Sequence, residues 1–136
     1  MTAWAITQTD RFKAASVGAS FTNIYSFSLS RPDHTVEDLL GGQPWDQWQL
    51  YIKRSPVFHV KNVKTPTLIQ HPEKDVIAPL SQGKEFYIAL KKLDIPVEFA
   101  VYPRQGHAIL YEPKLQRDML RRNLDWFNRW IKGITP

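Results

Sequence analysis

Two residues of this chain could run a proton relay. Asp75 lies in Leu68-Ile69-Gln70-His71-Pro72-Glu73-Lys74-Asp75, and His107 in Val101-Tyr102-Pro103-Arg104-Gln105-Gly106-His107. Each sits just past an apolar, strand-like run. A histidine takes up and returns a proton near neutral pH. A carboxylate on one ring nitrogen fixes the tautomer and stabilises the imidazolium, leaving the other nitrogen for a nucleophile. Gly106 is expected to give the backbone the sharp turn it needs before His107. On these two residues alone a simpler reading stands beside the relay: Asp75 closes a loop and His107 is an ordinary surface histidine.

A hydrolytic relay also needs something to activate, and nothing in the chain fits that part. There is no cysteine, and the seven serines are Ser16, Ser20, Ser26, Ser28, Ser30, Ser55 and Ser81. None lies in a Gly-x-Ser-x-Gly turn, the sharp strand-to-helix corner that exposes a nucleophilic hydroxyl. Ser20, in Gly18-Ala19-Ser20, lacks the second glycine and the helix, and Ser81 falls a few residues after Asp75 where a helix begins. His71 and Glu73 with His107 make a conceivable metal triad, but no zincin spacing is present, so neither a metal nor a cofactor is expected. His34 and His59 read as loop and packing residues. Trp45 and Trp48 could stack a ligand, though packing is the plainer use of them.

The elements that would position Asp75 and His107 follow from pattern. The 136 residues, with 43% hydrophobic and 23% charged, suit one globular domain spanning 1–136. The net charge of +5 is scattered over Lys84, Lys91, Lys92, Arg117, Arg121, Arg122, Arg129 and Lys132, as on solvated helix faces, so no nucleic-acid partner is expected. The opening Met1-Thr2-Ala3-Trp4-Ala5-Ile6 has no basic flank, and no run approaches the roughly 20 apolar residues of a bilayer span. No membrane partner is therefore expected, and a cytoplasmic location is.

A short uncapped helix is predicted over 1–10, and small apolar residues over 12–20 predict a strand buried on both faces. Residues 21–42 read as loops with one short helix, and 45–53 as a helix. A second buried strand is predicted over 65–70, an amphipathic helix over 80–93, and a third strand over 95–102. The longest helix spans 115–132, with Leu120, Leu124, Phe127 and Ile131 as one apolar stripe and Met119, Trp126 and Trp130 widening it, and Gly133 ends it. Strands alternating with helices imply an α/β fold with parallel pairing.

Further residues carry a resemblance. The run Arg54-Ser55-Pro56, Lys64-Thr65-Pro66-Thr67-Leu68-Ile69, His71-x-Glu73-Lys74-Asp75, Pro79-Leu80-Ser81-Gln82 and Tyr102-Pro103-x-x-Gly106-His107 resembles the C-terminal part of prolyl oligopeptidase-family serine peptidases. Their acylaminoacyl-peptidase and dipeptidyl-peptidase-like branch is the most similar. The resemblance covers nearly the whole chain. It implies the C-terminal half of an α/β-hydrolase fold, about three parallel strands with flanking helices. It also implies Asp75 as orienting acid, His107 as general base, and a peptide or ester as substrate of the parent enzyme. In that family Met-Thr-Ala-Trp follows the nucleophile elbow, so Met1-Thr2-Ala3-Trp4 looks like an opening just downstream of it. The acid loop departs from the family pattern, with Pro72 where glycine is usual and Val76-Ile77-Ala78 where Asp-Arg-Val is usual.

Two expectations follow. The first is a serine-peptidase fragment with an acid and a histidine but no nucleophile, inactive alone. The second is a non-catalytic remnant that associates with itself or a partner. In either case the edge near Phe12 to Ser20, uncharged after Lys13, is expected to pair with a second copy or a complementing chain.

Overall fold

The computed structural model describes residues 1–108 and 112–134. Among these, a three-stranded parallel sheet in the order β1-β2-β3 forms from Ala15–Gly18 (β1), Thr67–Pro72 (β2) and Val97–Tyr102 (β3). Helices α1 (Thr2–Gln8), α2 (Ile24–Leu29), α3 (Thr35–Leu40), α4 (Trp48–Arg54), α5 (Leu80–Lys92) and α6 (Pro113–Phe127) surround it. A 3-10 segment covers Pro56–Asn62, and a π-helical turn, Asn128–Lys132, extends α6. The α/β class and the three parallel strands are those expected from the alternating pattern.

The central strand shows why. Every residue of Thr67-Leu68-Ile69-Gln70-His71-Pro72 is buried, as a strand covered on both faces requires. One face packs against α1, the 3-10 segment and α5 through Ala3, Ile6, Ala15, Val17, Val63, Ile69, Phe86 and Leu90. The other meets α6, where Ser16 Oγ donates to Asn123 Oδ1 at 2.6 Å and Trp126 is buried. In α5, Phe86 and Leu90 lie at i, i+4 and face the sheet while the lysines stay outside. Asp94, at φ 55, turns the chain out of α5 towards β3.

Two expectations are corrected. The first strand is four residues rather than nine, and its burial alternates: Ala15 and Val17 point inward, Gly18 is exposed, and Phe12 lies half exposed before it. Small residues at 12–20 satisfy a strand pattern without demanding one. In the last helix the predicted core stripe points outward, with Leu120 63% and Leu124 60% exposed. The face that meets the sheet is instead the one carrying Asn123 and Trp126.

This assignment orders two substitutions. Phe86→Ala should lower the unfolding free energy by about 3–5 kcal/mol, whereas Leu120→Ala should change it by no more than ~0.5 kcal/mol. Urea melts of both variants decide it, and the reverse order would show that α6 packs through its leucine face.

Candidate active site

Parallel neighbours send their C-terminal ends to the same side, so the loops after β2 and β3 leave the sheet together. The register ends at Pro72 opposite Tyr102, and backbone bonds carry the pairing on. Glu73 N–H donates to Tyr102 O at 2.9 Å and Lys74 N–H to Gln105 O at 2.9 Å. Arg104 N–H donates to Glu73 Oε2 at 2.8 Å. Glu112 then holds the second loop, accepting from Arg104 Nη2 at 2.8 Å and from Gln105 Nε2 at 2.9 Å.

Asp75 closes its own turn. Its Oδ1 accepts from Ile77 N–H at 2.9 Å and Ala78 N–H at 2.8 Å, which leaves Oδ2 facing the second loop. There His107 Nδ1 lies 2.8 Å from Oδ2. The carboxylate accepts and cannot donate, so Nδ1 carries the proton and Nε2 is left as the basic nitrogen. The acid's side chain is fully buried, whereas that of His107 is 42% exposed. A buried, triply satisfied acceptor holding a half-exposed imidazole can steer a proton between Nε2 and a reacting group. Sequence reasoning left open whether these two residues touch, and the structure brings them into hydrogen-bond contact.

The turn before His107 differs from expectation. The positive φ, 62°, falls on Arg104 rather than on Gly106, around which nothing approaches a would-be Cβ within 4 Å. Arg104 is held in that conformation by its amide bond to Glu73 and its guanidinium bond to Glu112. Hydrogen bonding to Arg104 in turn holds the Glu112 carboxyl below the usual carboxylate range.

In the acid loop, Val76 is 85% exposed and Ile77 about half exposed, while Ala78 is buried. Arg31 reaches this loop from the segment before α3, its Nη1 donating to Ile77 O at 3.1 Å. Hydrogen bonds from Arg31 hold the Asp33 carboxyl down at about 2. Gln82, buried in the first turn of α5, anchors residues 22–26 beside the site, accepting from Thr22 and Asn23 amides and donating to Ser26 Oγ. Burial pushes the Tyr102 phenol up to about 12, and its hydroxyl donates to Gln70 Oε1 at 2.6 Å, so it is a neutral donor rather than a base.

The serine hydroxyls are engaged elsewhere. Ser16 bonds Asn123, Ser28 bonds Glu37, and Ser20, Ser26, Ser30 and Ser55 donate to backbone carbonyls. Ser81 is exposed at the start of α5. Trp45 and Trp48 are both more than half exposed and line a groove with Tyr25, Ile52 and Phe58, rather than packing inside. His59 packs edge-on against Trp4. Among the described residues no group of three His, Cys, Asp or Glu side chains is placed to hold a metal ion, and no helix is long and apolar enough to cross a membrane.

Replacing Asp75 by Asn should disturb His107 without unfolding the chain. The Nδ1–H form of the imidazole should no longer predominate, as ring 15N chemical shifts will show. Unchanged shifts would mean that the contact does not set the tautomer.

Known proteins resemble this chain. The description of the prolyl oligopeptidase family matches residues 1–133. The uncharacterized peptidase YuxL of Bacillus subtilis is 33% identical over 143 residues, covering 96% of this chain and 20% of that protein. The human acylamino-acid-releasing enzyme is 34% identical over 79 residues, 58% of this chain and 11% of that enzyme. Among solved structures, the acylaminoacyl peptidase of Pyrococcus horikoshii superposes with a TM-score of 0.91 at 29% identity, over 98% of this chain and 22% of that one. This chain thus spans about a fifth of the length of the proteins that match it nearly end to end.

Proposed function

The chain belongs to the prolyl oligopeptidase family, and from that premise we propose that it carries the acid and histidine of a serine-type peptidase whose nucleophile comes from outside these 136 residues. The observation that carries this reading is the 2.8 Å contact from His107 Nδ1 to the buried Asp75. In a completed site, Nε2 takes the proton of an attacking hydroxyl and returns it to the leaving amine or alkoxide. Asp75 keeps the ring oriented and stabilises the imidazolium between those steps. A peptide or an ester is the substrate this chemistry fits.

By itself the chain should not turn over either. It has no Gly-x-Ser-x-Gly turn, and six of its seven serine hydroxyls donate to other groups. Loss of a single oxyanion donor lowers a rate by about a hundredfold or more, and loss of the nucleophile lowers it further. A fluorophosphonate probe should leave the chain unlabelled, and p-nitrophenyl ester hydrolysis should run at the buffer rate. Labelling of any serine would overturn the proposal.

A second reading, association without catalysis, is favoured by the free side of β1. Ala15 and Ala19 amides point into β2, so by alternation those of Ser16 and Gly18 point away from it. Beside that edge, Phe12 and Phe127 line an apolar groove with Met1, Ala5 and Ile6. Such an edge pairs readily with another strand. Light scattering at micromolar concentration should therefore show a species larger than one chain. Gly18→Pro, which removes one outward amide, should weaken that association about tenfold, or ~1.4 kcal/mol. A single-chain mass for the unaltered protein would remove the self-association reading.

A further inference from the structure

The relay leaves a buried histidine unused. His71, in β2, is fully buried, and its Nε2 lies 2.7 Å from Ala78 O and 3.8 Å from Asp75 Oδ2. A carbonyl only accepts, so Nε2 carries the ring proton. Nδ1 has no partner and faces Gly83 of α5: a Cβ added there would stand 2.6 Å from Nδ1 and 3.4 Å from Phe99 Cε2. The ring is thus clamped between a strand and a helix, with its one proton aimed at the acid-bearing turn.

That turn has two ends. Asp75 Oδ1 holds it through the amides of Ile77 and Ala78, and His71 holds the same Ala78 through its carbonyl. If residue 78 swings away, Oδ1 is left with the Ile77 amide alone and the carboxylate is less tightly held. Oδ2 then leaves the line of His107 Nδ1. Oδ2 also lies 3.8 Å from the protonated Nε2, and both side chains are fully buried, so the positive end of the N–H dipole acts on it with little screening.

We infer that His71 is a positioning residue: it locks the 75–78 turn so that Asp75 presents Oδ2 to His107. This rests on the reading of Asp75 and His107 as a relay. The two ideas separate in one set of ring-15N and imidazole-proton spectra of the full chain, with the amide spectrum reporting the fold. Asp75→Asn tests the relay. His71→Phe keeps a ring but removes the donor. His71→Gln restores a donor near the position of Nε2. Gly83→Ala moves the ring from the opposite element.

In His71→Phe and Gly83→Ala the Nδ1 proton of His107 should exchange with water roughly tenfold faster, as expected when a hydrogen bond to a charged group is loosened, and the Nδ1–H tautomer should lose population. His71→Gln should behave as the unaltered chain. Should His71→Phe fail to fold, Gly83→Ala and His71→Gln read the same quantity. If Asp75→Asn changes His107 while His71→Phe and Gly83→Ala do not, the inference fails and the relay stands. If His71→Gln is as loose as His71→Phe or Gly83→Ala, the tether to Ala78 is not the cause and the inference also fails. If Asp75→Asn changes nothing, both fall together.

Discussion

The site depends on the backbone stitching between two loops. Beyond the last register pair, Pro72 and Tyr102, the chain could leave the sheet in two unrelated directions. It does not, because the amides of Glu73 and Lys74 continue the ladder onto Tyr102 O and Gln105 O, and Arg104 N–H returns to Glu73. Fixing one residue's backbone costs about 1–2 kcal/mol of conformational entropy. Spread over two free loops, that expense falls at the moment of reaction. Here folding has already met it, so the acid and the imidazole stand at working distance in advance. The left-handed Arg104 is part of the same device, since its strain is held by Glu73 on one side and Glu112 on the other.

Within this frame the two partners divide the work by exposure. Asp75, buried, has its lone pairs filled by two amides and one imidazole, so it can do little but hold. His107, half exposed, keeps its other nitrogen outward, where a proton can be exchanged. The apolar replacements in the acid loop fit the same division. Val76 and Ile77 turn to the surface and lend the acid only a backbone amide, while the small Ala78 goes inward, where His71 and Asp75 both grip its main chain. A side-chain change at 76 or 77 therefore leaves the acid's hydrogen bonds intact.

The strand-loop pattern made Asp75 and His107 readable, because each follows an apolar run and parallel strands gather such loops at one edge. Other features were not readable, for physical reasons. A helical period locates an apolar stripe, but α6 has two apolar flanks, and only the sheet decides between Leu120 with Leu124 and the side of Trp126. Gly106 looked like the turn residue, yet a non-glycine residue held by neighbours took the left-handed conformation instead. The tether made by His71 leaves no trace in the sequence, because its partner is a backbone carbonyl. Gly83 inside α5 is unfavourable by roughly 1 kcal/mol against alanine, and the place where a side chain would stand is taken by the His71 ring.

The edge of β1 ties the catalytic and the associative readings together through strand direction. All three strands run parallel, with Asp75 and His107 beyond their C-terminal ends. A strand added parallel to β1 would end on that same side of the sheet. A second copy of this chain cannot do this through a two-fold axis normal to the sheet, the operation that keeps α6 on one face and α1 and α5 on the other. That axis runs β1 antiparallel to its mate and carries the mate's loops to the far end. Pairing of two copies about that axis would thus bury the edge and send the mate's loops away from Asp75 and His107, whereas a strand pairing in parallel would send its loop to their side of the sheet. The direction of an added strand, more than the strength of its binding, decides which end of the sheet its loops reach.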